Sequence, residues 1–314
     1  MKILVTGGAG FIGSNFVSMA MTNQFPEITA VVVLDKLTYA GKLSNLHEVI
    51  NSPNLTFVQG DICDPRIVDR LASDSDAIIN FAAESHVDRS IQDSTEFIKT
   101  NVLGTQVLLD AAKKHNVKKF LQVSTDEVYG SILKGSWTEN SPLEPNSPYS
   151  ASKAAADLLV RSYFVTHKLN TSISRCSNNF GPRQDPEKLI LNAILKLLKG
   201  HKISIYGDGA NVRDWVHVED HCRAIYLVLT KGVAGEVYNV GGSNEISNIQ
   251  LARLILTNLN LPENYIEFVK DRPGHDFRYS VDHSKINQIG YHPSTSFNRL
   301  IKETINWYSE NYLC

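Results

Sequence analysis

The chain is 314 residues long, 42% hydrophobic and 20% charged, with 31 Lys plus Arg against 33 Asp plus Glu. That ordinary balance argues against a disordered chain and a membrane protein, and the near-zero net charge supplies no global field favouring nucleic acid or an anionic membrane, so any anionic ligand must be held locally. No leader peptide or spanning helix is expected. The scattered Cys63, Cys176, Cys222 and Cys314 read as free thiols of a cytoplasmic protein, and neither Cys nor His shows metal-binding spacing, so no bound metal is expected.

A β-branched run at 2–6 leads into Gly7-Gly8-Ala9-Gly10-Phe11-Ile12-Gly13, and apolar residues then recur at helical steps over 11–21. Further short apolar runs lie at 30–34, 55–59, 77–81, 119–124 and 171–175, with helical patterns at 95–115 and 150–167 between later ones. This alternation predicts an α/β fold, a Rossmann-type doubly wound parallel sheet with helices on both faces. After Cys176 the rhythm changes to Asn-, Gly- and Pro-rich loops at 178–186 and 207–211. The expected division is 1–175 for a dinucleotide-binding unit and 176–314 for a smaller C-terminal lobe, with later segments returning to the first unit. A ligand cleft belongs between them, at the carboxyl ends of the strands.

Glycines at 7, 10 and 13 allow a tight turn that lets backbone N–H groups approach a pyrophosphate at a helix N-terminus. Asp35 follows the second run, where a carboxylate accepts the adenosine ribose hydroxyls and repels a 2′-phosphate; NAD is favoured over NADP, an exclusion that Lys36 weakens slightly. An isolated glycine triplet and a strand-end aspartate also fit a plain turn; position and spacing together favour the dinucleotide. Asp61, in Gly60-Asp61-Ile62, is either an acceptor for the adenine amino group or an ordinary turn aspartate.

Tyr149 and Lys153 stand four apart at the start of a helical pattern, so they share a face, and a nearby ammonium is expected to bring the phenol into range as a base. The same spacing fits a packed tyrosine and a solvated lysine. Ser124-Thr125-Asp126-Glu127 after the fifth run sharpens the chemical reading: Thr125 supplies a small hydroxyl, and two adjacent carboxyl groups offer an acid and a base if their surroundings separate their pKa values. A solvated acidic loop is the plain alternative.

The glycine turn, the runs at 35–41 and 82–90, the Thr-Asp-Glu run, Tyr149 with Lys153, and the later runs at 178–182, 206–215 and 271–276 resemble the dTDP-glucose 4,6-dehydratase family of extended short-chain dehydrogenases/reductases, over nearly the whole chain. The resemblance implies NAD as cofactor, bordered by Gly7, Gly10, Phe11, Ile12, Gly13, Asp35, Lys36, Thr38, Asp61, Ile62, Ala82, Ala83, Ser85, Thr100, Tyr149, Lys153 and Asn179. It implies dTDP-glucose as substrate, held by Ser85, His86, Thr125, Asn178, Lys188, Leu189, Tyr206, Arg213, Asn248, Arg272 and His275. In the implied reaction Tyr149 takes the proton of the 4-hydroxyl as NAD accepts a hydride from carbon 4. Glu127 then removes the carbon-5 proton, Asp126 protonates the departing 6-hydroxyl, and the hydride returns to carbon 6.

The segment 131–148 is shorter than in many bacterial members of that family. A homodimer through the helices at 105–115 and 151–167 is expected by the same analogy. The rival readings are a UDP-glucose 4,6-dehydratase, a nucleotide-sugar 4-epimerase, or a non-catalytic dinucleotide-sensing module; the intact Thr125, Tyr149 and Lys153 set argues against the last.

Overall fold

The computed structural model describes residues 1–271, 276–294 and 296–312. The elements in chain order are β1 (Lys2–Thr6), α1 (Phe11–Met21), β2 (Ala30–Asp35), β3 (Leu55–Gln59), α2 (Pro65–Ala72), β4 (Ala77–Asn80), α3 (Val87–Gln92), α4 (Thr95–Phe97), α5 (Thr105–Lys114), β5 (Lys119–Thr125), α6 (Pro148–His167) and β6 (Thr171–Cys176). There follow β7 (Asn178–Phe180), α7 (Leu189–Leu198), β8 (Ile203–Tyr206), β9 (Val212–His217), α8 (Val218–Lys231), β10 (Val237–Val240), β11 (Glu245–Ser247), α9 (Asn248–Asn258), β12 (Ile266–Val269), α10 (Ser284–Asn287) and α11 (Phe297–Tyr312).

Seven strands form one parallel sheet in the order β10-β6-β5-β4-β1-β2-β3. Side chains alternate across a strand, and the sequence fills both faces. Ile3, Val5, Val31 and Val33 pack with α1 and α8, whereas Leu4, Val32, Leu34 and Phe120 pack with the α2, α5 and α6 layer. Each such side chain contributes about 1.5–3 kcal/mol when fully buried. The order reverses between β1 and β4, and the loops that leave the carboxyl ends of the strands around this point form the walls of the cleft.

Strand positions match the expected runs to within one residue, but two helices differ. The helix expected from 150 begins at Pro148, because Ser147 caps it: its Oγ accepts from Ser150 N at 3.1 Å, Ser150 Oγ accepts from Ser147 N at 3.1 Å, and proline stands at the first helical position. Tyr149 thereby lies in the first turn, with Lys153 one turn on.

The helix expected at 95–115 is interrupted by a π-helical segment, Ile98–Gly104. There Asn101 leaves the helix surface to serve as a bracket. Its Nδ2 donates to Ser152 Oγ at 2.8 Å and to the Glu84 carbonyl at 3.0 Å, its Oδ1 accepts from Glu84 N at 2.9 Å, and Thr105 Oγ1 donates to its freed carbonyl at 2.7 Å.

After Cys176 the chain alternates between two regions. β7, β9 and β11 form a three-stranded sheet and β8 pairs with β12, packed with α7, α9 and α11 around Phe180, Ile194, Trp215, Ile255 and Ile301. α8 returns to pack on α1, and β10 extends the seven-stranded sheet beside β6. Among the described residues no helix is long and apolar enough to cross a membrane.

Candidate active site

A cavity of about 810 Å³ opens at the carboxyl ends of β1, β2, β4, β5 and β6 and runs on between α7, β8 and β9. At its nucleotide end Gly7 has φ +67°, and a Cβ on Gly13 would stand 2.3 Å from the Gly7 carbonyl oxygen. A side chain at either place would block the turn, so the cradle is shaped for a group that presses on bare backbone. Asp35, the last residue of β2, accepts from Ala9 N at 2.9 Å and from Leu37 N at 2.8 Å. Burial raises its pKa against these two hydrogen bonds. Lys36 pairs with Asp61 at 2.9 Å. Phe11, Ile12, Thr38, Ile62, Ala82, Ala83, Thr100 and Asn179 line the same space, together with Gly10. This residue set fits NAD: a glycine turn for the pyrophosphate and a carboxylate for the ribose.

At the chemical end Thr125 closes β5, and Asp126 and Glu127 form the tight turn that follows. The Thr125 hydroxyl lies in hydrogen-bonding range of the Tyr149 phenol and caps the turn by accepting from Glu127 N at 3.2 Å. Asp126 is wholly enclosed: Oδ1 meets the Thr125 hydroxyl at 3.4 Å and Oδ2 has no partner among the described residues. Burial, then the charges of Glu127 and Asp214, push its carboxyl well above the usual range, against Arg213 and Thr125. Its surroundings therefore favour the protonated form, the state a general acid needs, beside an acidic neighbour.

The expected lowering of the Tyr149 phenol does not hold in this structure. Burial first, then Glu127 and Cys176, push it well above its ordinary value, with the Thr125 hydroxyl acting in the opposite direction. Lys153 shares the helix face but donates from Nζ to the Val123 carbonyl at 2.8 Å, and burial lowers its own pKa against the nearby Asp157 carboxylate. Beneath this helix Arg175 Nε meets Asp157 at 2.8 Å, Arg175 Nη1 donates to Tyr129 Oη at 2.8 Å, and Tyr129 Oη donates to Asn239 at 2.8 Å. The network ties α6 to β6 and β10 and holds the base of the site rigid.

At the substrate end Lys188 Nζ donates to the Ser85 carbonyl at 3.0 Å, and His86 Nε2 lies 3.1 Å from Glu187, so the loop after β4 meets the start of α7. Asn178, Leu189, Tyr206 and Asn248 line the far wall. Arg213 is buried and donates to the carbonyls of Asp276 at 2.8 Å and Phe277 at 3.2 Å, with its guanidinium 4.4 Å from the centre of the Tyr279 ring. Every described residue expected from the sequence thus borders one cavity; Arg272 and His275 lie outside the described residues.

Sequence reasoning missed Glu84, Glu187, Lys196, Ser204, Trp215 and Tyr279, which also line the cavity. Lys196 had a signal, since it follows Leu189 by seven positions on one helical stripe; Glu84 and Tyr279 reach the cavity only through tertiary packing. Among the described residues no group of three or more His, Cys, Asp or Glu is arranged to hold a metal ion.

Residues 4–304 match the family model described as GDP-mannose 4,6 dehydratase. A dTDP-glucose 4,6-dehydratase of Actinoplanes sp. is 52% identical, across 99% of this chain and 98% of its own length. The low-salt glycan biosynthesis protein Agl12 of Haloferax volcanii is 53% identical, across 98% of both chains. The crystal structure of the Streptomyces venezuelae dTDP-glucose 4,6-dehydratase with NAD and dTDP bound superposes with a TM-score of 0.97 at 52% identity, covering 99% of this chain and 98% of that one. Matched by the family model over residues 4–304 and by a relative 52% identical across 99% of its length, the chain belongs to the dTDP-glucose 4,6-dehydratase family.

Proposed function

We propose that this chain converts dTDP-glucose to dTDP-4-keto-6-deoxyglucose and water. The observation that carries the reading is the Asp126 and Glu127 pair beside Tyr149: a 4-epimerase needs proton transfer at one hydroxyl, whereas elimination across carbons 5 and 6 needs one proton taken and another given within the same small space. The redox chemistry NAD supplies when bound is acceptance of a hydride from carbon 4 and its return to carbon 6. Tyr149 acts as the phenolate, which a hydrogen bond from Thr125 Oγ1 favours, and becomes the neutral phenol as its Oη takes the 4-hydroxyl proton. Glu127 takes the carbon-5 proton, which the neighbouring ketone has made acidic, and returns a proton to carbon 5 as the hydride reaches carbon 6. Asp126 delivers its proton to the departing 6-hydroxyl, a role that requires the protonated form its enclosure favours. Lys188 and Arg213 supply cationic donors toward the diphosphate, and Tyr206 offers a ring on which a base stacks.

With dTDP-glucose carrying deuterium at carbon 4, the expected product is the 4-keto-6-deoxy sugar with the label at carbon 6. Label washed out to solvent, or an epimerised sugar with oxygen retained at carbon 6, sinks this reading.

The working unit is a homodimer built on α5 and α6. Leu158 and Val165, seven apart on α6, are 58% and 48% exposed, and Leu103 and Ile98 just before α5 are 45% and 51% exposed, a set of apolar side chains suited to a second copy. Sedimentation of the wild type against a Leu158→Asp variant tests it, a dimer giving way to monomer. The thiols of Cys63, Cys176 and Cys222 are free, which supports a reducing compartment, the cytoplasm.

A further inference from the structure

α8 passes beneath the cofactor end of the cavity. Cys222 Sγ lies 3.7 Å from the carbonyl of Ile12 in the first turn of α1, and its neighbour His221 is fully buried. His221 meets Asn179 of β7, which lines the cavity beside Cys176 and Ser177. Asn179 is held at three atoms. Its backbone carbonyl accepts from Gln184 Nε2 at 2.7 Å, its Nδ2 donates to the Ser177 carbonyl at 3.0 Å and to Cys176 Sγ at 3.4 Å, and its Oδ1 lies 2.9 Å from His221 Nδ1. Gln184 is fixed in turn by α11, where Tyr308 Oη accepts from Gln184 N at 2.7 Å and donates to the Gly181 carbonyl at 3.1 Å.

These contacts decide which ring nitrogen of His221 carries hydrogen. With Nδ2 given to the Ser177 carbonyl, Asn179 turns its oxygen to the ring, so Nδ1 is the donor. Nε2 is buried with no hydrogen-bond partner among the described residues, and a hydrogen placed there would be stranded. Burial lowers the imidazole pKa to about 3, so at neutral pH the ring is uncharged and has one hydrogen to give.

We infer that His221 is a positioning residue for the dinucleotide, acting through Asn179. Its Nδ1–H keeps Asn179 Oδ1 turned into the protein and keeps the Nδ2 donor on the wall that NAD lies against. Without that hydrogen the buried Oδ1 loses its partner, and the amide is free to rotate end for end. The rotated amide sets an oxygen beside the Ser177 carbonyl and on the cavity wall, where an acceptor-rich dinucleotide meets like polarity.

Exchange of bound NAD for radiolabelled NAD in the purified holoprotein tests this, with His221→Asn, His221→Gln and Asn179→Ala as variants. An Asn amide places its nitrogen near the position of Nδ1, and a Gln amide near that of Nε2. His221→Asn therefore exchanges NAD at close to the wild-type rate, whereas His221→Gln and Asn179→Ala each exchange it about tenfold faster. In the Asn179→Ala background His221→Gln adds no further acceleration, because the group it acts through is gone. Asn and Gln variants that exchange alike overturn the assignment. So does an acceleration by His221→Gln that persists in the Asn179→Ala background, since that marks the packing of α8 and not the hydrogen bond. In the wild type, heteronuclear imidazole spectra show Nδ1 of His221 as the protonated nitrogen at neutral pH, and protonation at Nε2 overturns the assignment as well. Every readout concerns the cofactor or the ring itself, so each stands whichever sugar nucleotide the enzyme converts.

Discussion

Replacing Asp126 by Asn keeps the shape of the side chain and removes its titration. The carboxyl is wholly enclosed, and burial, then Glu127 and Asp214, raise its pKa well above the ordinary value. An acid whose pKa is raised by folding takes up a proton as the chain folds. Its contribution to stability is complete below about pH 4, the unfolded value, and is lost as the pH rises toward the folded one, at up to about 1.4 kcal/mol per pH unit. The unfolding free energy of the variant minus that of the wild type therefore climbs with pH from the acidic toward the neutral range, by at most that slope. Urea unfolding of both proteins over this range measures it. In the same variant elimination loses its proton donor and turnover falls about 10²–10⁴-fold. Oxidation at carbon 4 draws on Tyr149 and Thr125 and persists, visible as near-ultraviolet absorbance of the reduced cofactor after mixing with substrate. A stability difference that does not change with pH refutes the neutral buried acid, and wild-type turnover refutes its catalytic role.

Thr125→Val removes the hydroxyl that opposes the upward push on Tyr149, so the rising limb of kcat/KM against pH moves to higher pH; a limb that stays in place rejects the Thr125 contact as an acidifying one. Lys119, at the opposite end of β5, donates to Asn170, Ser172 and the Gly232 carbonyl, and burial lowers its pKa to about 8. A lysine lowered by folding costs stability while it is charged, so the cost is full below that value and disappears as the pH rises toward the unfolded one. Relative to wild type, Lys119→Met gains up to roughly 2–3 kcal/mol at neutral pH, less the effect of its lost hydrogen bonds, and the gain shrinks in alkali when followed by denaturant unfolding. Gly13→Ala puts a methyl 2.3 Å from the Gly7 carbonyl oxygen. The purified variant is expected to retain little or no NAD, measured by cofactor release on denaturation, and a full complement contradicts the close-packed turn.

The parts of the fold legible in the sequence were those written in local periodicity. Ile3 and Val5 face one layer and Leu4 the other, and that two-residue alternation, repeated in β2, is visible without any tertiary knowledge. The glycine turn and Asp35 were legible because backbone approach and a strand-end carboxylate are each local demands. The π-helical segment was not legible. It depends on Asn101 bridging Glu84 and Ser152, partners 17 and 51 residues away that no window around Asn101 contains. The pairing of β8 with β12 is hidden for the same reason, since Tyr206 finds Val269 only through the fold.

The one chemical expectation that the structure reverses shows how the site works. Helical spacing promises an ammonium near the phenol, but it says nothing about how much water reaches either group. Enclosure acts on every ionisable side chain at once: it raises Asp126, Tyr149 and Cys176 and lowers Lys153, so each is driven toward its neutral form. For Asp126 this is the state an acid needs before elimination. For Tyr149 it is the wrong state for a base, and Thr125 offers only a partial correction. Burial therefore favours proton donation by Asp126 and opposes proton acceptance by Tyr149, whose base strength depends on positive charge or hydrogen bonds placed around the phenol. The order of the reaction runs against that starting state, since the 4-hydroxyl must be deprotonated before the 6-hydroxyl can leave. A hydrogen bond or positive charge held against the phenol is thus what the first proton transfer depends on, and Thr125, the donor beside it, is where that dependence is read from the pH profile of kcat/KM.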